Sequence, residues 1–182
     1  MSPLRPAADS VTELERALES CRVEFNEIDE VWPNLYIGNI AIAHNKEELK
    51  KLGITHILNA AHGAWGSKGS QAFYGREIHY YGIEAEDSTD FDLSIYFRPA
   101  SAYIHKALGA PNGRILVHCV LGKSRSATLV LAYLMIFQNF SLPEAVERIL
   151  QSRAISPNRG FLKQLQDLNM ELQHKIKQCQ LL

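Results

Sequence analysis

A cysteine and an arginine separated by five residues are the clearest candidates for chemistry in this sequence. They are Cys119 and Arg125, preceded by an apolar run at residues 114–117 and followed by a run of helical character at residues 126–137. A strand that leads through a short loop into a helix presents backbone N–H groups and the positive end of the helix to an anion. We expect this environment to hold the sulfur of Cys119 as a nucleophilic thiolate at neutral pH.

Arg125 suits the same chemistry, because a guanidinium group can donate hydrogen bonds to two oxygens of a phosphoryl group at once. The backbone amides of the loop complete the expected phosphate site, which consists of Val120, Leu121, Gly122, Lys123, Ser124 and Arg125. The pattern therefore predicts an enzyme that attacks phosphate esters through sulfur, and it argues against a buried structural cysteine.

The segments that must position this loop alternate between strands and helices along the chain. We predict helices at residues 10–18, 45–52, 93–108, 126–137, 142–152 and 161–176 from apolar periodicity and capping residues. We predict two short strands within residues 30–38, further strands at residues 54–61, 77–84 and 114–117, and an exposed loop at residues 62–76. This order predicts a single α/β domain with a central mixed, mostly parallel sheet and helices on both faces.

Length and composition limit the classes of function that are open. A chain of 182 residues with 46% hydrophobic residues can form one domain with a proper core, and its net charge of −1 offers no general attraction to nucleic acid. The longest apolar run, residues 127–137, is shorter than the roughly 20 residues of a membrane span. The three cysteines have no framework spacing, which favours a reducing compartment. We therefore expect the protein to lie in the cytoplasm, and a nuclear location is also compatible with the sequence.

An acidic turn at residues 84–92 supplies the candidates for a general acid. Spacing alone does not choose among Glu84, Glu86, Asp87, Asp90 and Asp92. Asp90 or Asp92 is expected to cap the helix that follows, because aspartate is favoured at that position. The residues themselves leave the choice of acid open.

Four motifs, taken together in this order, resemble those of the small atypical dual-specificity phosphatases, a group within the cysteine-dependent protein phosphatases. They are Glu-Val-Trp-Pro-Asn-Leu-Tyr-Ile-Gly, the acidic turn Ala-Glu-Asp-Ser-Thr-Asp, the sequence His-Cys-x5-Arg-Ser, and Pro-Asn-Arg-Gly-Phe-Leu. The resemblance extends over residues 29–172. It implies a catalytic domain at residues 28–176, preceded by a tail and helix at residues 1–27 and followed by a tail at residues 177–182.

The resemblance also implies roles for individual residues. Cys119 would form a phosphocysteine intermediate, Asp87 would act as general acid and then as general base, and Arg125 would bind phosphate with the loop amides. Ser126 matches the hydroxyl that stabilises the departing thiolate, and His118 would support the cysteine from behind by hydrogen bonding. No metal and no cofactor are implied. The implied substrates are phosphotyrosine, phosphoserine and phosphothreonine in proteins, with protein kinases as one candidate class of partner.

Alternative functions remain open at this stage. Lys123 resembles a loop lysine of the tensin-like lipid phosphatases, which suggests a phosphoinositide phosphatase. A phosphopeptide-binding pseudoenzyme is another possibility, and a rhodanese-like sulfurtransferase is a remote one. Lys123, Arg153 and Arg159 are either cations at the rim of the site or ordinary solvated charges. The oligomeric state is open, and a dimer is compatible with the sequence.

Overall fold

The computed structural model describes residues 11–24 and 26–181. Within them, one mixed sheet has the strand order β1-β2-β5-β3-β4, in which β1 is antiparallel to β2 and the other neighbours are parallel. The strands are β1 (Ile28–Trp32), β2 (Leu35–Gly38), β3 (His56–Asn59), β4 (His79–Gly82) and β5 (Ile115–His118). The predicted mixed, mostly parallel sheet is confirmed.

Helices flank both faces of this sheet. They are α1 (Val11–Glu19), α2 (Ile40–Ala43), α3 (Lys46–Lys51), α4 (Gln71–Tyr74), α5 (Phe97–Gly109), α6 (Arg125–Phe137), α7 (Leu142–Leu150) and α8 (Arg159–Gln180), with a 3-10 turn at Ser94–Tyr96 before α5. Among residues 11–24 and 26–181, no helix combines the length and the apolar character that a membrane span requires.

Alternation along the strands divides the core into two clusters. In β5, Val117 packs into a cluster with α5, α6, α7 and α8, whereas Leu116 packs into a second cluster with α2, α3 and α4. Successive side chains of a strand point to opposite faces, so a strand covered on both sides is apolar throughout. Helix α1 contributes Val11, Leu14 and Leu18 to the first cluster, on the single apolar face that the sequence predicts.

Several predicted boundaries change in the structure. Residues 62–76 were expected to form an exposed loop, but α4 lies within them and buries Tyr74, whose hydroxyl donates to the Ala43 carbonyl at 2.5 Å. The helix expected at residues 161–176 begins earlier and continues to Gln180, so most of the tail predicted at residues 177–182 is helical. Residues 1–10, which include the start of the predicted tail and helix at residues 1–27 and the first residue of the helix predicted at residues 10–18, lie outside the described residues.

The topology brings the candidate loop to the centre of the molecule. β5 lies between β2 and β3, and all three run parallel. The carboxyl ends of parallel strands share one edge of the sheet, where ligands bind in open α/β folds. The loop after β5 and the acidic turn after β4 therefore meet at this edge.

Candidate active site

The loop that follows β5 forms the floor of a pocket of about 280 Å³. Asp87, Cys119 and Arg125 all line this pocket, although they come from different segments of the chain. Only 2% of the Cys119 surface is exposed, and its side chain lies at the bottom of the pocket. A sulfur in this position is accessible to a bound phosphate ester and shielded from bulk water.

Two hydrogen-bond donors face the sulfur of Cys119. The backbone N–H of Gly122 donates to Sγ at 3.3 Å, and the hydroxyl of Ser126 lies 3.2 Å from Sγ. Hydrogen bonds to an ionised group are stronger than those to a neutral one. A sulfur that attacks as a thiolate can accept from both groups, and the position of Ser126 agrees with the role implied by the resemblance.

Arg125 begins α6, and its guanidinium group is anchored at one end. Nη1 donates to the carbonyl of Ala85 at 2.8 Å, while Nε is buried without a hydrogen-bond partner among the described residues. Buried donors in proteins are almost always paired, so an unpaired one calls for an explanation. Arg125 lines the pocket, where the rest of its guanidinium group can donate to an oxyanion.

Of the five carboxylates in the acidic turn, all within the described residues, Asp87 lines the pocket with Cys119 and Arg125. Its Oδ1 accepts hydrogen bonds from the hydroxyl of Ser124 at 2.8 Å and from Nδ2 of Asn158 at 2.9 Å. Glu84 and Glu86 lie on the walls of a neighbouring cavity of about 480 Å³, which also includes Asp87. The helix cap predicted at Asp90 or Asp92 is wrong, because the 3-10 turn begins after Leu93 and α5 after Tyr96, and neither has a side-chain cap. Asp92 instead accepts from the backbone N–H of Ser94 at 3.1 Å, in a local turn.

Asn158 is a functional residue that the sequence analysis did not identify. It caps α8 through Oδ1, which accepts from the N–H of Phe161, and its own N–H donates to the hydroxyl of Ser124 at 3.0 Å. Its amide group also holds Asp87. The Pro-Asn motif before α8 carried a signal for the cap, but the contact with the acid depends on the tertiary fold.

His118 supports the loop through the backbone. The residue is fully buried, and its Nδ1–H donates to the carbonyl of Cys119 at 3.2 Å. Desolvation lowers the pKa of His118 to about 4, so the ring is neutral near pH 7. His118 therefore supports the cysteine through its carbonyl and adds no positive charge beside the sulfur.

The three predicted rim cations have different environments. Lys123 lines the pocket. Arg159 forms an exposed ion pair with Glu15 at 2.7 Å. The rim role is wrong for Arg153, which is only 1% exposed and forms an ion pair with Asp29 at 2.7 Å. The sequence did not reveal this burial, because a buried arginine and a surface arginine look alike without their partners.

The remaining loop residues are where the sequence predicts them. Val120 is half-buried, and Leu121 projects from the loop with 61% of its surface exposed. Both line the pocket. No group of three potential metal ligands occurs among residues 11–24 and 26–181.

Gly122 has a backbone conformation that requires glycine. Its φ is +70°, and an added Cβ would lie 2.4 Å from the carbonyl oxygen of Gly38 and 2.6 Å from Nη2 of Arg153. Both the dihedral angle and the close contacts exclude a side chain.

We expect Gly122→Ala to lower the free energy of unfolding by about 1–3 kcal/mol, because alanine would be strained at this φ. For a protein of this size the melting temperature should fall by roughly 2–12 °C. Thermal unfolding followed by circular dichroism measures this. Gly109→Ala is the matched control, because no atom lies within 4 Å of its added Cβ. An equal fall in melting temperature in the two variants would contradict the requirement for glycine at position 122.

Comparison with known proteins agrees with this geometry. Residues 35–171 match the family described as dual specificity phosphatase, catalytic domain. The chain is 50% identical over 168 residues to mouse dual specificity protein phosphatase 26, covering 92% of this chain and 79% of the mouse protein. The human protein of the same name has the same identity and coverage.

Solved structures show the same fold. The crystal structure of human DUSP28 has a TM-score of 0.72 and 30% identity, over 81% of this chain and 96% of that chain. The human tyrosine phosphatase-like serine/threonine/tyrosine-interacting protein has a TM-score of 0.70 and 28% identity, over 79% of this chain and 95% of that chain.

Proposed function

Because this chain belongs to the dual specificity phosphatase family, we propose that it hydrolyses phosphotyrosine, phosphoserine and phosphothreonine esters of proteins through a phosphocysteine intermediate. One observation carries the proposal: Cys119, Arg125 and Asp87 line the same small pocket. These groups are a nucleophile, an oxyanion-binding group and a proton donor. A two-step phosphoryl transfer requires all three.

In the first step, the thiolate of Cys119 attacks phosphorus in line with the ester bond. A sulfur–phosphorus bond forms, the phosphorus–oxygen ester bond breaks, and Asp87 transfers its proton to the departing oxygen. Arg125 and the amides of the loop bind the remaining phosphoryl oxygens as their charge develops.

In the second step, a water molecule attacks the phosphocysteine. Asp87, now a carboxylate, accepts a proton from the water, and the sulfur–phosphorus bond breaks to release phosphate. The sulfur leaves as a thiolate, which the Ser126 hydroxyl can stabilise from 3.2 Å. The chain's own residues supply every proton transfer in the cycle.

Ser126→Ala should slow this second step selectively. A hydrogen bond to a charged group contributes about 1.5–3 kcal/mol, so we expect kcat to fall roughly 10–100-fold. The first step should continue, and rapid mixing with p-nitrophenyl phosphate should then show a burst of one p-nitrophenol per enzyme. Ser20→Ala, at the end of α1, is the control. If Ser126→Ala slowed the burst phase and the steady-state rate equally, Ser126 would have no selective role in the second step.

Phosphate release from matched peptides tests the proposed function directly. Peptides carrying phosphotyrosine or phosphothreonine should both be hydrolysed without added metal and should be inhibited by vanadate. Binding of these peptides without turnover would support the pseudoenzyme. Faster release from inositol lipids than from peptides would support the lipid phosphatase; the exposed Glu84 and Glu86 beside the pocket disfavour such polyanionic headgroups.

A further inference from the structure

The carbonyl groups of residues 119–124 in the catalytic loop all accept hydrogen bonds from other parts of the protein. Four of them bind backbone groups or neighbouring side chains: Cys119 O to His118 Nδ1, Val120 O to the N–H of Ile40, Lys123 O to the N–H of Ser156, and Ser124 O to the N–H of Thr128. A carbonyl held on the outside leaves the amide of the same peptide unit facing inward. The outer contacts of the loop therefore determine which groups face phosphate.

The two central carbonyls of the loop are bound by one side chain. Nε of Arg153 donates to the carbonyl of Gly122 at 2.9 Å, and Nη2 donates to that of Leu121 at 3.4 Å. The third nitrogen, Nη1, binds the Asn26 carbonyl and the carboxylate of Asp29, both at 2.7 Å. The guanidinium group therefore connects the loop to the segment that begins β1.

We propose that Arg153, neutralised by Asp29, is a positioning residue that aims the central loop amides at the sulfur and at bound phosphate. The proposal rests on the proposed function of the pocket. The carbonyl of Leu121 and the N–H of Gly122 belong to one trans peptide unit and point in opposite directions. Because Arg153 binds that carbonyl, the N–H is directed to the sulfur of Cys119, where it donates at 3.3 Å.

The peptide unit between Gly122 and Lys123 is oriented in the same way. The carbonyl of Gly122 faces Arg153, so the N–H of Lys123 points away from it, and Lys123 lines the pocket. Lysine at position 153 would keep the charge but lose the planar fork that spans two carbonyls. Arg153 is not among the residues that line the pocket, so we infer that it acts through the loop.

Asp29 has a separable role. Its side chain is 12% exposed and that of Arg153 is 1% exposed, so each charge is shielded from water and depends on the other. Removing one partner of a buried pair is strongly destabilising, whereas replacing both with neutral groups is often tolerated. A variant that lacks both charges can therefore separate loop positioning from folding stability.

The test compares Arg153→Met, Arg153→Lys and the double variant Asp29→Asn/Arg153→Met. Vanadate affinity reports the loop as an anion site, and alkylation of Cys119 by iodoacetate across pH reports thiolate formation. We expect vanadate to bind Arg153→Met roughly 10–100-fold more weakly, because the two central amides are no longer held in place. Arg153→Lys should be intermediate, and the alkylation midpoint should move to higher pH in both.

The double variant is decisive. We expect its melting temperature to recover towards that of the wild type while its vanadate affinity and alkylation midpoint stay altered. Arg98→Met/Glu171→Gln, which removes an exposed pair, is the control and should change none of these properties. Wild-type vanadate affinity in the folded double variant would overturn the positioning role. Absence of turnover in the wild type would instead overturn the proposed function, and the binding comparison would still be interpretable.

Discussion

Replacing Cys119 with serine should lower turnover of p-nitrophenyl phosphate by at least about 10⁴-fold, as loss of a nucleophile does in other covalent enzymes. A serine hydroxyl is a much weaker nucleophile than a thiolate at neutral pH. The substitution exchanges one sulfur atom for oxygen at the start of the loop and changes little else. Steady-state kinetics of the purified variant measure the effect.

The other two cysteines provide the controls for this experiment. Cys179 is exposed on α8, and Cys21 is half-buried with Sγ 3.8 Å from the carbonyl of Leu150. Neither lines the pocket, so Cys21→Ser and Cys179→Ser should retain activity. Normal turnover by Cys119→Ser, or equal losses in all three variants, would contradict sulfur-mediated transfer by Cys119.

Replacing Asp87 with asparagine should lower kcat by roughly 10²–10⁴-fold, which is the usual contribution of a general acid. The loss should be larger for phosphothreonine peptides than for p-nitrophenyl phosphate, because an alkoxide needs protonation more than a nitrophenolate does. Asparagine keeps the acceptor oxygen for Ser124 and Asn158, so the carboxyl proton is the main property removed.

The pH profile gives a second readout for the same variant. The mechanism needs one group in its basic form and one in its acid form, so the wild-type rate should follow a bell-shaped curve against pH. Asp87→Asn should lose only the high-pH limb. Neither limb near neutrality belongs to His118, because burial lowers its pKa to about 4.

Asp92→Asn is the matched control for Asp87→Asn. Asp92 accepts hydrogen bonds from the N–H and the hydroxyl of Ser94. Asparagine keeps an acceptor oxygen for both groups of Ser94, so this exposed substitution should change the free energy of unfolding by less than about 0.5 kcal/mol and leave the rate profile unchanged. A high-pH limb that persists in Asp87→Asn, or is lost in Asp92→Asn, would assign the acid to another residue.

The sequence alone predicted the part of the site whose residues are close together along the chain. Cys119, Arg125 and Ser126 lie on one loop and the first turn of α6, so their relative positions follow from a strand–loop–helix arrangement. Asp87 required the resemblance, because five carboxylates lie in the same turn. Only tertiary contacts with Ser124 and Asn158 distinguish it from its neighbours.

Long-range contacts explain what the sequence did not predict. Arg153 is 124 positions from Asp29, and no local pattern links the two. The four-residue helices α2 and α4 are too short for apolar periodicity to reveal them. The cap of α4 at Ser70 lies within a glycine-rich stretch that otherwise indicates a loop. Elements of this size owe their stability to packing rather than to intrinsic propensity.

Detection of the covalent intermediate tests the mechanism most directly. Ser126→Ala protein mixed with p-nitrophenyl phosphate, quenched in acid within the burst and digested, should give a peptide with one phosphoryl group on Cys119 by mass spectrometry. The adduct should decay at the rate of steady-state turnover. Continued turnover with no phosphoryl group on Cys119, or with the phosphoryl group on another residue, would contradict transfer through this sulfur.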